Sequence, residues 1–100
     1  MKEYEVVFSP EAEEDLVNLY EQIAVAASPT VAFGYIERIE QFCSVLAAVP
    51  LGGTARTDIR PGLRTIGFER RATIAYRVTK TRVEILRIFY GGQNWEAKVQ

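Results

Sequence analysis

Arginine is concentrated in one short part of this chain. Five of the twelve basic residues lie within positions 56–71, whose sequence is RTDIRPGLRTIGFERR. A guanidinium group suits a carboxylate or phosphate partner, because its planar fork can donate two parallel hydrogen bonds. We expect Arg60 and Arg64 to form a cationic cluster at one end of a sheet, extended by Arg56, Arg70 and Arg71.

A turn signal lies inside this segment. Proline fixes φ and glycine tolerates a positive φ, so Arg60-Pro61-Gly62-Leu63 predicts a type II turn that opens a strand. If Leu63 faces the core, Arg64 faces away from it. The alternative to a binding cluster is a solvated face whose arginines form ion pairs with nearby acids, namely Asp58 or Glu69.

Three residues near the end of the chain are further candidates for recognition. Arg87 lies in the most apolar strand-like run, so it is either paired in the interior or exposed on a functional sheet face. Tyr90 ends that run. Trp95, the one tryptophan, follows Gly91-Gly92 and is either an interface anchor or a plug for the open end of the core.

The composition excludes several kinds of site. The chain has no histidine and one cysteine, Cys43, which removes Ser–His, Cys–His and histidine-based metal chemistry. We therefore expect no metal and no cofactor. A single cysteine suggests a reducing cytoplasm, the opening MKEYEV is not typical of a signal peptide, and the apolar runs are too short to span a bilayer.

The two halves of the chain differ in charge. Residues 1–55 carry two basic and nine acidic side chains, a net charge of −7, whereas residues 56–100 carry ten basic and four acidic, a net charge of +6. The total of −1 therefore conceals a strong dipole. One face suits a cationic partner, and another suits a polyanion or an acidic surface.

Periodicity predicts the elements that must position these residues. Residues 4–8 alternate as a short strand, and Ser9-Pro10 and Ser28-Pro29 are start signals for two helices with apolar stripes. The short connection between them favours an antiparallel helical hairpin. Three β-rich runs follow, at Leu63–Phe68, Ala72–Val78 and Arg82–Tyr90.

The last run is apolar on both faces, which predicts a central strand. In it we expect Glu84, Leu86, Ile88 and Tyr90 to oppose Val83, Ile85, Arg87 and Phe89. The expected architecture is one α+β domain over residues 1–100. It is a two-layer sandwich in the order β-α-α-β-β-β, with the helical hairpin packed on one face of an antiparallel-rich sheet.

Four segments in this order resemble the ParE/RelE toxin superfamily. They are FSPEAEEDL after the first strand, Pro-Leu-Gly-Gly after the helices, DIRPGLR, and the closing RIFYGGQNW. The DIRPGLR segment and the Gly-Gly-x-x-Trp ending are similar to the ParE branch in particular. The resemblance covers the chain from Tyr4 to about Trp95.

The resemblance implies a function and a surface for the antitoxin. ParE-like toxins poison DNA gyrase, are not enzymes, cause growth arrest, serve in plasmid stabilisation and are neutralised in oligomeric complexes by an antitoxin encoded alongside. An antitoxin segment along the helices implies polar rim contacts at Glu14, Asn18, Glu21 and Gln22. The candidates for target binding, which come from the arginine and aromatic patterns described above, are Arg60, Arg64, Arg87, Tyr90 and Trp95.

Two alternatives come from other functional classes. A RelE-type toxin cuts messenger RNA on the ribosome, which requires a base, an acid and cations for the phosphate. Arg60, Arg64 and Arg87 supply cations, but the tail GGQNWEAKVQ contains no arginine or tyrosine to complete the site. The other alternative is a non-toxic interaction module that only retains antitoxin binding.

Overall fold

The computed structural model describes residues 4–91, and the expected role of Trp95 falls outside that range. Two helices follow the first strand, and four strands follow the helices. The elements are β1 (Glu5–Phe8), α1 (Pro10–Ala26), α2 (Pro29–Val45), β2 (Thr54–Ala55), β3 (Arg64–Phe68), β4 (Ala72–Val78) and β5 (Arg82–Tyr90). The predicted α+β class, the helical hairpin and the three late strands are confirmed.

The strands form one mixed sheet in the order β1-β5-β4-β3-β2. β1 runs parallel to β5, and the other neighbours are antiparallel. The prediction that the last strand has partners on both sides is confirmed. The two-residue strand β2 was not predicted, because Thr54–Ala55 is too short to show an alternating pattern.

Both helices begin as the Ser-Pro signals predict. The hydroxyl oxygen of Ser9 accepts a hydrogen bond from the Ala12 backbone N–H at 3.0 Å, and that of Ser28 accepts one from the Val31 N–H at 3.1 Å. A proline occupies the first turn of each helix, where the missing N–H has no partner to lose. The Ser9 hydroxyl also donates to the carbonyl oxygen of Leu86, which fixes the start of α1 against β5.

The sheet has a core on each face. The main core lies between the helices and the sheet, where Leu16, Ile39, Ile74, Tyr76 and Ile85 are buried. On the opposite face a smaller cluster contains Leu63, Ala75 and Phe89, with Ile59 and Leu86 packed against it. The chain between β2 and β3 therefore covers part of the sheet face that the helices leave open.

A β-bulge in β5 changes which side chains share a face. Ala75 pairs with Arg87 but Tyr76 pairs with Ile85, so Leu86 is left without an opposite residue on β4. As a result, Val83 and Ile85 contact the same core as Ile88 and Tyr90. The predicted strict alternation along this strand is therefore wrong beyond Ile85.

Within residues 4–91, no helix is both long enough and apolar enough to cross a membrane.

Candidate functional site

Arg64 anchors the loop that joins α2 to β2. Its Nη2 donates hydrogen bonds to the carbonyl oxygens of Leu51 and Gly53, at 3.0 and 2.8 Å. Arg64 pairs with Tyr76, which lies in the main core, so its side chain projects on the helical side of the sheet. The preceding Leu63 belongs to the smaller cluster instead. The side-chain Nε of Arg64 is buried and has no hydrogen-bond partner within the described residues.

Gly53 explains why this loop comes so close to the sheet. Its backbone N–H donates to the hydroxyl of Tyr76 at 2.9 Å, and Tyr76 is fully buried. A Cβ atom on Gly53 would lie 2.6 Å from the carbonyl oxygen of Thr65 and 2.7 Å from that hydroxyl. Arg64, Tyr76 and Gly53 together hold the α2–β2 loop in place.

Arg60 is an exposed cation at this end of the sheet. Leu63 N–H donates to the Arg60 carbonyl at 3.1 Å and Gly62 has a φ of 78°, which confirms the predicted type II turn. The Arg60 side chain is exposed and forms no ion pair or hydrogen bond with residues 4–91. Its neighbour Arg56 donates to both carboxylate oxygens of Asp58, at 3.1 and 3.0 Å.

The five arginines of positions 56–71 do not form one patch. β3 separates Arg56, Arg60 and Arg64 from Arg70 and Arg71, which lie in the β3–β4 turn at the opposite end of the sheet. Five residues of extended strand span about 17 Å. The expected extension of the cluster to Arg70 and Arg71 is therefore wrong, because β3 lies between the Pro-Gly turn and these two residues.

Arg87 is paired rather than free. Its Nε and Nη2 donate to the two carboxylate oxygens of Asp15 on α1, at 2.8 and 3.0 Å. The backbone N–H of Ile88 donates to the same carboxylate at 2.8 Å. The Asp15 side chain is 13% exposed and that of Arg87 is 29% exposed. The hydrogen bonds that Arg87 donates to the Asp15 carboxylate raise the pKa of Arg87 above its ordinary value.

A polar pocket of about 220 Å³ surrounds this ion pair. It brings together residues from α1 and β5 that were predicted for different partners, Asn18 and Gln22 for the antitoxin and Arg87 and Tyr90 for the target. Glu14 and Glu21 are exposed on α1 but do not line the pocket. Arg64 lies two strands away on β3, next to Thr65 in the row where Thr65, Ala75 and Arg87 pair across the sheet, and neither Arg60 nor Arg64 lines the pocket.

An apolar groove of about 400 Å³ runs between the two helices. Two of its side chains are unusually exposed for their type, Val17 at 58% and Phe33 at 59%. Glu13 and Glu40 lie at its rim. We call it the helical groove, and it is lined by Phe8, Glu13, Leu16, Val17, Tyr20, Phe33, Ile36 and Glu40.

Sequence reasoning did not select Val17 or Phe33 as site residues. A signal was present, because both are large apolar residues that fall outside the buried helical stripes. Contiguous exposed apolar surface of this kind commonly marks an interaction site.

The residues with the largest pKa shifts do not favour proton transfer near neutral pH. Burial raises the pKa of the Cys43 thiol to about 12 and that of the Tyr35 hydroxyl to about 12. Both groups therefore stay protonated at neutral pH, whereas a general base functions best with a pKa near the working pH. Within residues 4–91 there is also no group of three or more His, Cys, Asp or Glu side chains arranged to hold a metal ion.

Comparison with known proteins gives a consistent result. The family described as the ParE toxin of the type II toxin-antitoxin system parDE matches residues 6–95. Toxin ParE3 of Caulobacter vibrioides is 34% identical over 85 residues, which cover 85% of this chain and 84% of that protein.

Two solved structures share the fold. One, from the chromosomal ParDE toxin-antitoxin system of P. aeruginosa, has a TM-score of 0.78 and 27% identity, and covers 88% of this chain and 96% of that one. The other, from the RelBE2 toxin-antitoxin complex of Mycobacterium tuberculosis, has a TM-score of 0.63 and 24% identity, and covers 88% and 98%. The helical hairpin on a mixed sheet, the closing β5 segment and the match over residues 6–95 lead to one conclusion: this chain belongs to the ParE family of type II toxins, within the ParE/RelE superfamily.

Proposed function

We propose that this chain arrests bacterial growth by binding and poisoning DNA gyrase, and that a cognate antitoxin neutralises it by covering the helical hairpin. The toxin is then an inhibitory binding protein that works in the cytoplasm without a cofactor. When neutralised, the toxin is held in an oligomeric complex with the antitoxin.

The helical groove is the observation that carries the antitoxin part of this proposal. Val17 and Phe33 expose more than half of their surface on the outside of the hairpin. An amphipathic segment could bury these side chains and place its own basic residues near Glu13 and Glu40. The two solved relatives come from toxin–antitoxin systems, which supports a protein partner of this kind.

The state of the arginines favours a binding protein over a nuclease. Arg64 is held by two loop carbonyls, and Arg87 is held by Asp15. Both arginines were candidates for stabilising a phosphate in the nuclease alternative. Binding a phosphate through the same donors would require these hydrogen bonds to break. The ParE family membership supports gyrase as the target rather than messenger RNA.

Induced expression in a bacterial host tests this proposal. The measurements are growth, gyrase-linked double-strand breaks and the integrity of transcripts. We expect growth arrest with breaks, relieved when the adjacent antitoxin gene is co-expressed. Arrest with cleaved transcripts and intact DNA would instead indicate a RelE-type nuclease, and normal growth would indicate a non-toxic interaction module.

A further inference from the structure

The β3–β4 turn has a backbone conformation that its residues do not favour. Glu69 and Arg70 have φ values of 49° and 61°, in the left-handed region where a Cβ atom crowds the backbone. Glycine or asparagine relieves this strain, and turns of this kind usually contain one of them. Neither is present at these two positions.

The turn is nevertheless held firmly from three sides. Glu69 accepts two hydrogen bonds from Arg38 of α2, Nε to Oε2 at 2.9 Å and Nη2 to Oε1 at 3.2 Å. Phe68 packs edge-on against Tyr35, and the backbone N–H of Gly91 donates to the Arg71 carbonyl at 2.8 Å. An exposed ion pair alone contributes little, so the aromatic packing and the backbone bonds must fix the turn.

Within residues 4–91, the side chain of Arg70 adds no ion pair or hydrogen bond to the fold. Arg70 and Arg71 are both exposed, and neither side chain forms an ion pair or hydrogen bond with residues 4–91. Glu69, the acid nearest to them in sequence, is already committed to Arg38. The turn therefore presents two uncompensated guanidinium groups from a rigid, strained support, which is typical of functional positions.

We propose that Arg70 and Arg71, here called the arginine tip, form a second target-binding surface that contacts carboxylate groups on the protein target. This inference rests on the proposed function, because the partner is taken to be the target of the toxin. The arginine tip lies at the end of the sheet opposite Arg60, so the target would be held at two separate points.

Charge favours a protein carboxylate over a nucleic acid backbone. Residues 1–55, which include both helices, carry a net charge of −7, and Glu37 and Glu40 flank Arg38 on α2. A long polyanion lying across the tip would meet this acidic surface, whereas one or two carboxylates would not. The planar forks of two adjacent arginines suit such a compact acidic group.

Four single variants separate strain from charge. R70G removes both the strain and a cation, R70K keeps both, and R71A removes a cation where the backbone is not strained. K80G is the matched control, because Lys80 is an exposed cation without a partner among residues 4–91, in the turn at the opposite end of the sheet. The unfolding temperature shows whether each variant folds.

We expect R70G to unfold a few degrees above the wild-type protein, because glycine accepts the positive φ. We expect R70G and R71A to arrest growth about tenfold less effectively at equal expression, and R70K and K80G to act like wild type. If R70G is more stable and arrests growth as well as wild type, the arginine tip has no function in target binding.

A binding measurement keeps the inference separate from the gyrase proposal. Each protein is passed at low salt over an immobilised short peptide that ends in two glutamates and over immobilised duplex DNA. We expect R70G and R71A to elute from the acidic peptide at lower salt than K80G, whether or not the wild-type protein arrests growth. Equal elution of all three would overturn the inference, and a loss confined to DNA would show that the tip contacts phosphates instead. A wild-type protein that does not arrest growth contradicts only the proposed function.

Discussion

Arg87 and Asp15 are joined by two parallel hydrogen bonds that link β5 to α1, at 2.8 and 3.0 Å. The Asp15 carboxylate also accepts the Ile88 N–H, just beyond the bulge in β5. The last residue of β1, Phe8, pairs with Ile85. After Ile85, β5 therefore has no strand partner within residues 4–91 on the edge where β1 lies. Ser9, which caps α1, and Asp15 within α1 form hydrogen bonds with the backbone of Leu86 and Ile88, beyond the end of β1.

Removing the carboxylate of Asp15 should weaken the fold. Asp15→Ala leaves a partly buried guanidinium and a backbone N–H without their acceptor, and we expect it to lower the free energy of unfolding by about 2 kcal/mol. Urea denaturation followed by circular dichroism measures this change. Glu14→Ala on the exposed face of the same helix is the control, with an expected effect within about 0.5 kcal/mol. Equal stability of the two variants would show that the ion pair contributes nothing.

Arg64 and Arg60 should have different effects despite lying four residues apart. Arg64→Ala removes two charged hydrogen bonds to the α2–β2 loop, so we expect a loss of about 2 kcal/mol in stability and faster hydrogen exchange at Gly53. Arg60→Ala should change stability by less than about 0.5 kcal/mol, because its side chain has no partner within residues 4–91.

Growth arrest by the Arg60 variant tests whether Arg60 binds the target. We expect Arg60→Ala to reduce growth arrest while leaving antitoxin binding intact. The double substitution of Arg60 and Arg64 is less informative, because the loss of the loop anchor alone lowers stability. A fully toxic Arg60→Ala would remove Arg60 from the target-binding surface.

Two glycines provide opposite tests of the packing. Gly53→Ala places a Cβ atom 2.6 Å from the Thr65 carbonyl oxygen, and we expect a loss of about 3 kcal/mol in the free energy of unfolding. Gly34→Ala lies within α2, where the nearest atom is 3.8 Å away, and should gain about 0.5–1 kcal/mol from helix propensity. Thermal unfolding distinguishes the two signs, and a tolerated Gly53→Ala would contradict the close approach of the loop.

The helical groove should bind the antitoxin without contributing to toxicity. Phe33→Asp places a charge in the apolar groove, so we expect antitoxin affinity to fall at least about tenfold while growth arrest persists. Val25→Asp is the matched control, because Val25 is 89% exposed and does not line the groove. Isothermal titration calorimetry with the purified antitoxin measures the affinity of each variant. Unchanged affinity of Phe33→Asp would place the antitoxin elsewhere.

The elements could be predicted because their signals are local. Ser9-Pro10 and Ser28-Pro29 mark helix starts, and the apolar stripes and the turn at Pro61-Gly62 each depend on a few neighbouring residues. Both the two layers and the central position of β5 follow from those patterns.

The contacts of the arginines could not be predicted in the same way. Arg87 and Asp15 are 72 residues apart, and Arg64 binds backbone carbonyls, which carry no residue-type signal. The sequence of β5 contains no glycine that would indicate the bulge at Leu86. The bulge lies where the pairing of β5 with β1 ends and where side chains at the start of α1 become the hydrogen-bond partners of the β5 backbone. Which arginines are free is therefore decided by tertiary structure.

Gyrase poisoning is tested most directly with purified components. The folded chain is added to purified DNA gyrase, ATP and plasmid DNA, and both supercoiling and linear cleaved plasmid are measured on a gel. We expect supercoiling to fall and linear plasmid to accumulate as the chain is added, and we expect purified antitoxin to reverse both effects. The contrary result is unchanged supercoiling and no cleaved plasmid, obtained with folded protein whose expression arrests cell growth. That result would contradict gyrase as the target.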